Sequence, residues 1–125
     1  MTKRNILNLT QHNATPSQVS EGVVEPTNKE EIQSLLTFHG CPTGESISYR
    51  AMQITALAVK NGAKYAMIGG APFLMSSLEK YLFESGIKPL YSFSKRNSIE
   101  VNSTEGTITK KMVFKHVAFV EVGNA

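Results

Sequence analysis

Apolar and polar positions alternate in blocks along this chain, and the period of each block predicts an element. Residues 5–10 carry Ile6, Leu7 and Leu9, consistent with a short first strand. Thr15-Pro16-Ser17-Gln18 reads as a helix start: Thr15 caps, Pro16 suits the first helical position, and Gln18 can reach back to complete a capping box. Gly22 and Pro26 keep that helix short. A second box, Thr27-x-x-Glu30, precedes Ile32, Leu35 and Leu36, with Glu30 and Glu31 in the turn that the helix dipole favours. Phe38 to Gly44 reads as a loop. From Ser46 to Asn61 the spacing of Ile47, Ala51, Ile54 and Ala58 is helical, and Gly62 is placed to end the helix.

Tyr65-Ala66-Met67-Ile68 is a continuous apolar run, suited to a strand buried on both faces. Gly69-Gly70-Ala71-Pro72 turns into an amphipathic helix with Met75, Leu78 and Leu82 on one face, stopped by Gly86. Pro89 to Phe93 gives a third strand. Ile99–Asn102 and Lys110–Phe114 then flank the turn-rich Asn102-Ser103-Thr104-Glu105-Gly106, the mark of a β-hairpin, with Val117–Val122 continuing the returning strand or forming another. Strand–helix alternation followed by an antiparallel tail predicts one α/β domain over residues 1–125. The expected form is a Rossmann-like three-layer fold, a mainly parallel sheet with a C-terminal antiparallel hairpin.

Composition narrows the partners. A chain of 125 residues, 41% hydrophobic and 18% charged, can bury a core without staples. The net charge of +3 is too small to argue for duplex nucleic acid, though it would not repel a small anion. Cys41 is the only cysteine, which excludes an internal disulfide and suits a reducing, cytoplasmic setting. No apolar run reaches membrane-spanning length, and the polar residues after Ile6 and Leu7 do not resemble a signal peptide. The histidines and Cys41 lack metal-ligand spacing, so neither metal nor cofactor is expected.

In an open parallel sheet, ligands bind outside the carboxyl ends of the strands. Each proposed parallel strand here ends in small or polar residues. Thr10-Gln11-His12-Asn13 places four hydrogen-bonding side chains after the first strand. His12 is the candidate proton carrier, or a donor to an anion, although a lone histidine is more often a surface or capping residue. Gly69, Gly70 and Ala71 allow a ligand to approach backbone at a helix start, and equally serve as a tight strand-to-helix turn. Neither a dinucleotide fingerprint nor a P-loop is present. After the third strand, Ser94, Lys95, Arg96 and Ser98 can grip a phosphate, with Glu100 orienting or pairing a cation; a solvated loop is the alternative. Lys110, Lys111, Lys115 and His116 read mostly as solvated.

Three segments together carry a family resemblance: Asn8-Leu9-Thr10-Gln11-His12-x-Ala14-Thr15-Pro16-x-Gln18, Met67-Ile68-Gly69-Gly70-Ala71-Pro72-Phe73-Leu74, and Ser92-Phe93-Ser94-x-Arg96-x-Ser98-x-Glu100. The chain resembles a family of small uncharacterised proteins of bacteria, prophages and phages. More distantly it is similar to CRISPR-associated Rossmann-fold (CARF) domains and ring nucleases, with Ser94, Arg96 and Glu100 matching their hydroxyl-x-Arg-x-x-x-Glu pattern. That likeness implies a homodimer that binds, or cleaves without metal, a cyclic oligonucleotide in antiviral defence. The alternatives are a phage accessory module that docks a protein, and a small enzyme acting on a phosphorylated molecule.

Overall fold

The computed structural model describes residues 5–102 and 106–122. Its elements run β1 (Ile6–Leu9), α1 (Pro16–Ser20), β2 (Val23–Val24), α2 (Lys29–Leu36), α3 (Gly44–Lys60), β3 (Tyr65–Ile68), α4 (Pro72–Glu84), β4 (Lys88–Asn102) and β5 (Ile108–Glu121). The chain is mixed α/β. One five-stranded sheet has the order β2-β1-β3-β4-β5, parallel except for the antiparallel β4–β5 pair.

The local signals act where the sequence places them, with two exceptions. Thr15 caps α1 as a complete capping box, with Gln18 N donating to Thr15 Oγ1 (3.3 Å) and Thr15 N to Gln18 Oε1 (2.9 Å). The expected Thr27 box does not form. Asn28 occupies the cap of α2 without a side-chain bond, because Thr27 is drawn to Asn61 Oδ1 at the end of α3. Thr43 caps α3 instead, by accepting from Ser46 N at 3.1 Å, so that helix begins earlier than its apolar spacing suggests. The second exception is β2. Two residues are too few to show a period, yet Val23 pairs with Ile6 and Val24 with Leu7.

Burial divides between the two sheet faces. Leu7, Leu9, Ala66 and Ile68 pack under Ile32 and Leu36 of α2, Ala51, Ile54 and Ala58 of α3, and Leu74, Leu78 and Leu82 of α4. Ile6, Val23, Met67 and Leu90 form a smaller cluster on the other face, joined by Ala14, Tyr65 and Phe119. The helical layers are thus unequal. Beside the second face lies only α1 among the described helices, five residues long and with no buried side chain. Polar groups can therefore gather there.

The tail differs from its expected form. Ser94 to Ser98 is not a loop between two strands. It lies within β4, which runs for 15 residues without a break. Along one edge it pairs with β5 from Leu90 opposite Glu121 to Asn102 opposite Ile108. The expected turn residues Ser103, Thr104 and Glu105 lie outside the described residues.

Candidate functional site

The site begins with a buried polar residue in the middle of β1. Asn8 is only 1% exposed, and every polar atom of its side chain is engaged. Nδ2 donates to His12 O (2.8 Å) and to Glu25 Oε1 (2.9 Å), while Oδ1 accepts from Thr10 N (3.0 Å) and lies 2.7 Å from Thr10 Oγ1. Because both partners of Nδ2 are acceptors, the amide has a single orientation. Glu25 also accepts from Ala14 N (2.9 Å) and pairs with Lys29. Burial pushes the Glu25 carboxyl up, but the bonds from Lys29, Ala14 and Asn8 and the Lys29 charge outweigh it, so its pKa falls below the ordinary 4.5.

Asn8 and Glu25 together hold residues 10–14 in a fixed loop. Its far side is tied to α2, where Gln11 Nε2 donates to Thr37 Oγ1 (2.7 Å) and Gln33 Nε2 donates to Gln11 O (3.0 Å). The His12 imidazole is exposed, and among the described residues its ring has no hydrogen-bonded partner.

Next to this loop comes the turn after β3. Gly70 has φ +150°, a conformation that L-residues rarely adopt. A Cβ on Gly69 would touch Thr10 Cγ2 at 3.6 Å, so the two turns pack directly together. Between them and β4 opens a crevice of about 490 Å³. Its walls are Thr10, Gln11, His12 and Asn13 from the first loop, Thr15 and Gln18 from α1, Met67 to Gly70, and Tyr91, Ser92 and Ser94 from β4. A second hollow of about 560 Å³ adjoins it across Gly69, Gly70 and Tyr91 and is lined by Pro72, Met75, Ser76 and Glu79 of α4. Tyr91 Oη donates to Glu79 Oε2 at 2.6 Å, and burial together with that carboxylate raises the phenol well above its ordinary pKa.

Against Ser92 of the β4 wall, β5 brings a group that sequence reasoning assigned to the solvated hairpin. His116 is 7% exposed, with Nδ1 2.5 Å from Ser92 Oγ and Nε2 3.2 Å from Glu21 Oε2. The second contact is a close approach rather than an aligned hydrogen bond, since Nε2 has no partner in hydrogen-bond geometry. A β-bulge decides this placement. The register pairs Ser92 with Phe119 and Phe93 with Ala118, then skips Val117 to pair Ser94 with His116. Strict alternation from Phe119 would send His116 to the opposite face; the extra residue reverses the parity and leaves Val117 exposed instead.

Of the residues singled out from sequence, Thr10, Gln11, His12, Asn13, Gly69, Gly70 and Ser94 meet at this crevice. Ala71 caps α4 behind the turn. Lys95, Arg96, Ser98 and Glu100 do not line it. They are exposed along β4 as it leaves the sheet, opposite Lys115, Phe114, Met112 and Lys110 respectively. Sequence reasoning missed Asn8, Glu25, Ser92 as a site residue, and His116. Asn8 alone left a signal, as the one amide within an otherwise apolar strand. Among the described residues no cluster of His, Cys, Asp and Glu could hold a metal ion, and no helix is long and apolar enough to cross a membrane.

The model of a family described as the uncharacterised protein MJ1673 family matches residues 4–120, and the chain belongs to that family. Neither curated proteins nor solved structures gave a match.

Proposed function

We propose that this member of the MJ1673 family binds a small nucleotide-class ligand in the crevice between the β1, β3 and β4 loops. One observation carries the reading. β1 and β3 are neighbours in the sheet, and the connection leaving β1 runs to β2 on one side while the connection leaving β3 runs to β4 on the other. In doubly wound sheets this reversal point is where ligands bind, outside the carboxyl ends of the strands. Thr10–Asn13 and Gly69–Gly70, the residues that follow β1 and β3, are the walls of the crevice there. In this reading the sheet is Rossmann-like, with β5 as an antiparallel extension.

The capacity of about 490 Å³ suits a small organic ligand. It favours that reading over docking of a protein, which predicts a shallower surface. Hydroxyl and amide side chains of the first loop would fix the ligand's orientation, and the amino end of α4 would attract its negative charge. Arg96 and Lys95, farther along β4, would meet only a ligand that extends beyond the crevice. A cyclic oligonucleotide shared by two copies of the chain is such a ligand. In a cleaving version, its ribose 2′-hydroxyl attacks the adjacent phosphate, with His12 carrying the proton.

Thermal unfolding in the presence of mononucleotides, cyclic dinucleotides and cyclic oligoadenylates tests the proposal. A ligand at about 100 times its Kd stabilises the fold by about 2.7 kcal/mol, enough to raise the melting temperature by several degrees. No shift with any member of the panel at millimolar concentration overturns it.

A further inference from the structure

We propose that Ser92 is a nucleophile activated by His116, and that the crevice hydrolyses small carboxylic esters through a Ser92-linked acyl intermediate. The inference uses the same crevice but does not depend on the ligand class proposed above.

Four observations meet at Ser92. Its hydroxyl belongs to a residue that lines the crevice, so a bound ester can reach it. Its oxygen lies 2.5 Å from His116 Nδ1, on an imidazole shielded from solvent. Gln18 Nε2 donates to that same oxygen at 3.3 Å and Ser94 Oγ lies 3.3 Å from it, so His116 Nδ1 at 2.5 Å is the nearer acceptor for the hydroxyl hydrogen. In the tautomer that accepts from Ser92, Nε2 carries its own hydrogen, with Glu21 Oε2 3.2 Å away but not aligned with it. The order is nucleophile, base and carboxylate, the arrangement by which serine hydrolases activate a hydroxyl, here with the two ring nitrogens exchanged. The bulge at Phe93/Ser94 brings His116 into this position, and bulges commonly re-aim a side chain beside an active site.

The chemistry balances without a further reactant except water. Ser92 Oγ forms a bond to the ester carbonyl carbon as its proton passes to His116 Nδ1, and Glu21 stabilises the resulting imidazolium. Collapse breaks the bond between that carbon and the alcohol oxygen, which leaves with the proton from Nδ1. Water then attacks the acyl group, gives a proton to Nδ1, and the carboxylic acid departs as that proton returns to Ser92 Oγ. Gly69 and Gly70 on the same crevice present backbone rather than side chain to it.

A fluorophosphonate, which phosphonylates only activated serines, serves as the probe, with p-nitrophenyl butyrate as ester. The expected result is a single labelled peptide containing Ser92 and a burst of p-nitrophenol that approaches one per chain. Ser92→Ala abolishes both. His116→Gln slows labelling by about 100-fold or more, the usual contribution of a general base. Glu21→Gln slows it less, and Glu21→Asp restores part of the loss, which a purely structural role would not produce. Absence of labelling in the folded wild-type protein, labelling at another serine, or labelling that survives Ser92→Ala overturns the proposal. A nucleotide-induced melting shift and Ser92 labelling are separate readouts, and either can fail while the other succeeds.

Discussion

Replacing Asn8 by Asp exchanges an NH2 group for an oxygen and changes almost nothing in volume, yet it should be among the most damaging substitutions in the chain. The new carboxylate cannot donate to His12 O or to Glu25, and it faces the Glu25 carboxylate across the present 2.9 Å contact. Two such charges about 3 Å apart repel by about 5 kcal/mol at an effective dielectric constant near 20. Taking up one proton relieves this, but holding a proton at pH 7 on a group whose ordinary pKa is about 4 costs about 4 kcal/mol. The lost bond to His12 O adds about 1 kcal/mol. The Glu25 side chain is 39% exposed, and water screens part of the repulsion. The expected deficit at pH 7 is therefore about 3–5 kcal/mol, a large share of the stability of a domain this size.

The signature of that deficit is its pH dependence. The folded variant binds a proton that the unfolded chain releases above about pH 4, so its deficit should shrink by about 1.4 kcal/mol for each unit between pH 7 and pH 5. Asn8→Ala removes the same bonds without adding a charge, and should lose about 3 kcal/mol nearly independently of pH. Urea unfolding of the three proteins at pH 5, 6 and 7 decides the matter. An Asn8→Asp deficit below about 1 kcal/mol at pH 7, or one that does not shrink on acidification, refutes the account of the β1 loop.

Three further outcomes are expected. Gly70→Ala should cost about 1–3 kcal/mol from backbone strain at φ +150° rather than from crowding, since the nearest atom to the added Cβ is Met75 Cε at 3.6 Å; denaturant unfolding measures it. The lowered pKa of Glu25 contributes stability that is complete above its unfolded value of 4.5 and lost as pH falls through the lower folded value, so Glu25→Gln should flatten the acid limb of the stability profile. The raised pKa of Tyr91 favours its neutral phenol, a contribution present below the unfolded value of 10.0 and lost only as pH rises through the folded one; in an ultraviolet titration the last phenolate to form should vanish in Tyr91→Phe.

The division between what is local in this chain and what is not follows its hydrogen bonds. The Thr15–Gln18 box, the apolar run before Gly69-Gly70, and the glycine at position 62 with its φ of +71° act within a few residues, so their outcome was legible from their own neighbours. The convergence of Thr10–Asn13 with Gly69–Gly70 was legible as well, because parallel strands bring their carboxyl ends to one edge. The Thr27 cap failed because Asn61, distant in sequence, offered a competing acceptor. Ser94–Ser98 has the composition of a loop, but β5 supplies its backbone partners, and strand propensity yields to such pairing.

His116 shows the limit most plainly. Its neighbours Lys115 and Val117 carry no sign of a bulge, and one skipped residue in the pairing turns a solvated side chain into a buried one against Ser92. By itself the amino-acid sequence determined the main helices, the Thr15 cap, strands β1 and β3 and the edge where their ends collect, since those rest on short-range sterics and hydrophobic period. Which side chains meet across that edge was decided only by tertiary register, because a shift of one residue reverses the facing of every position beyond it.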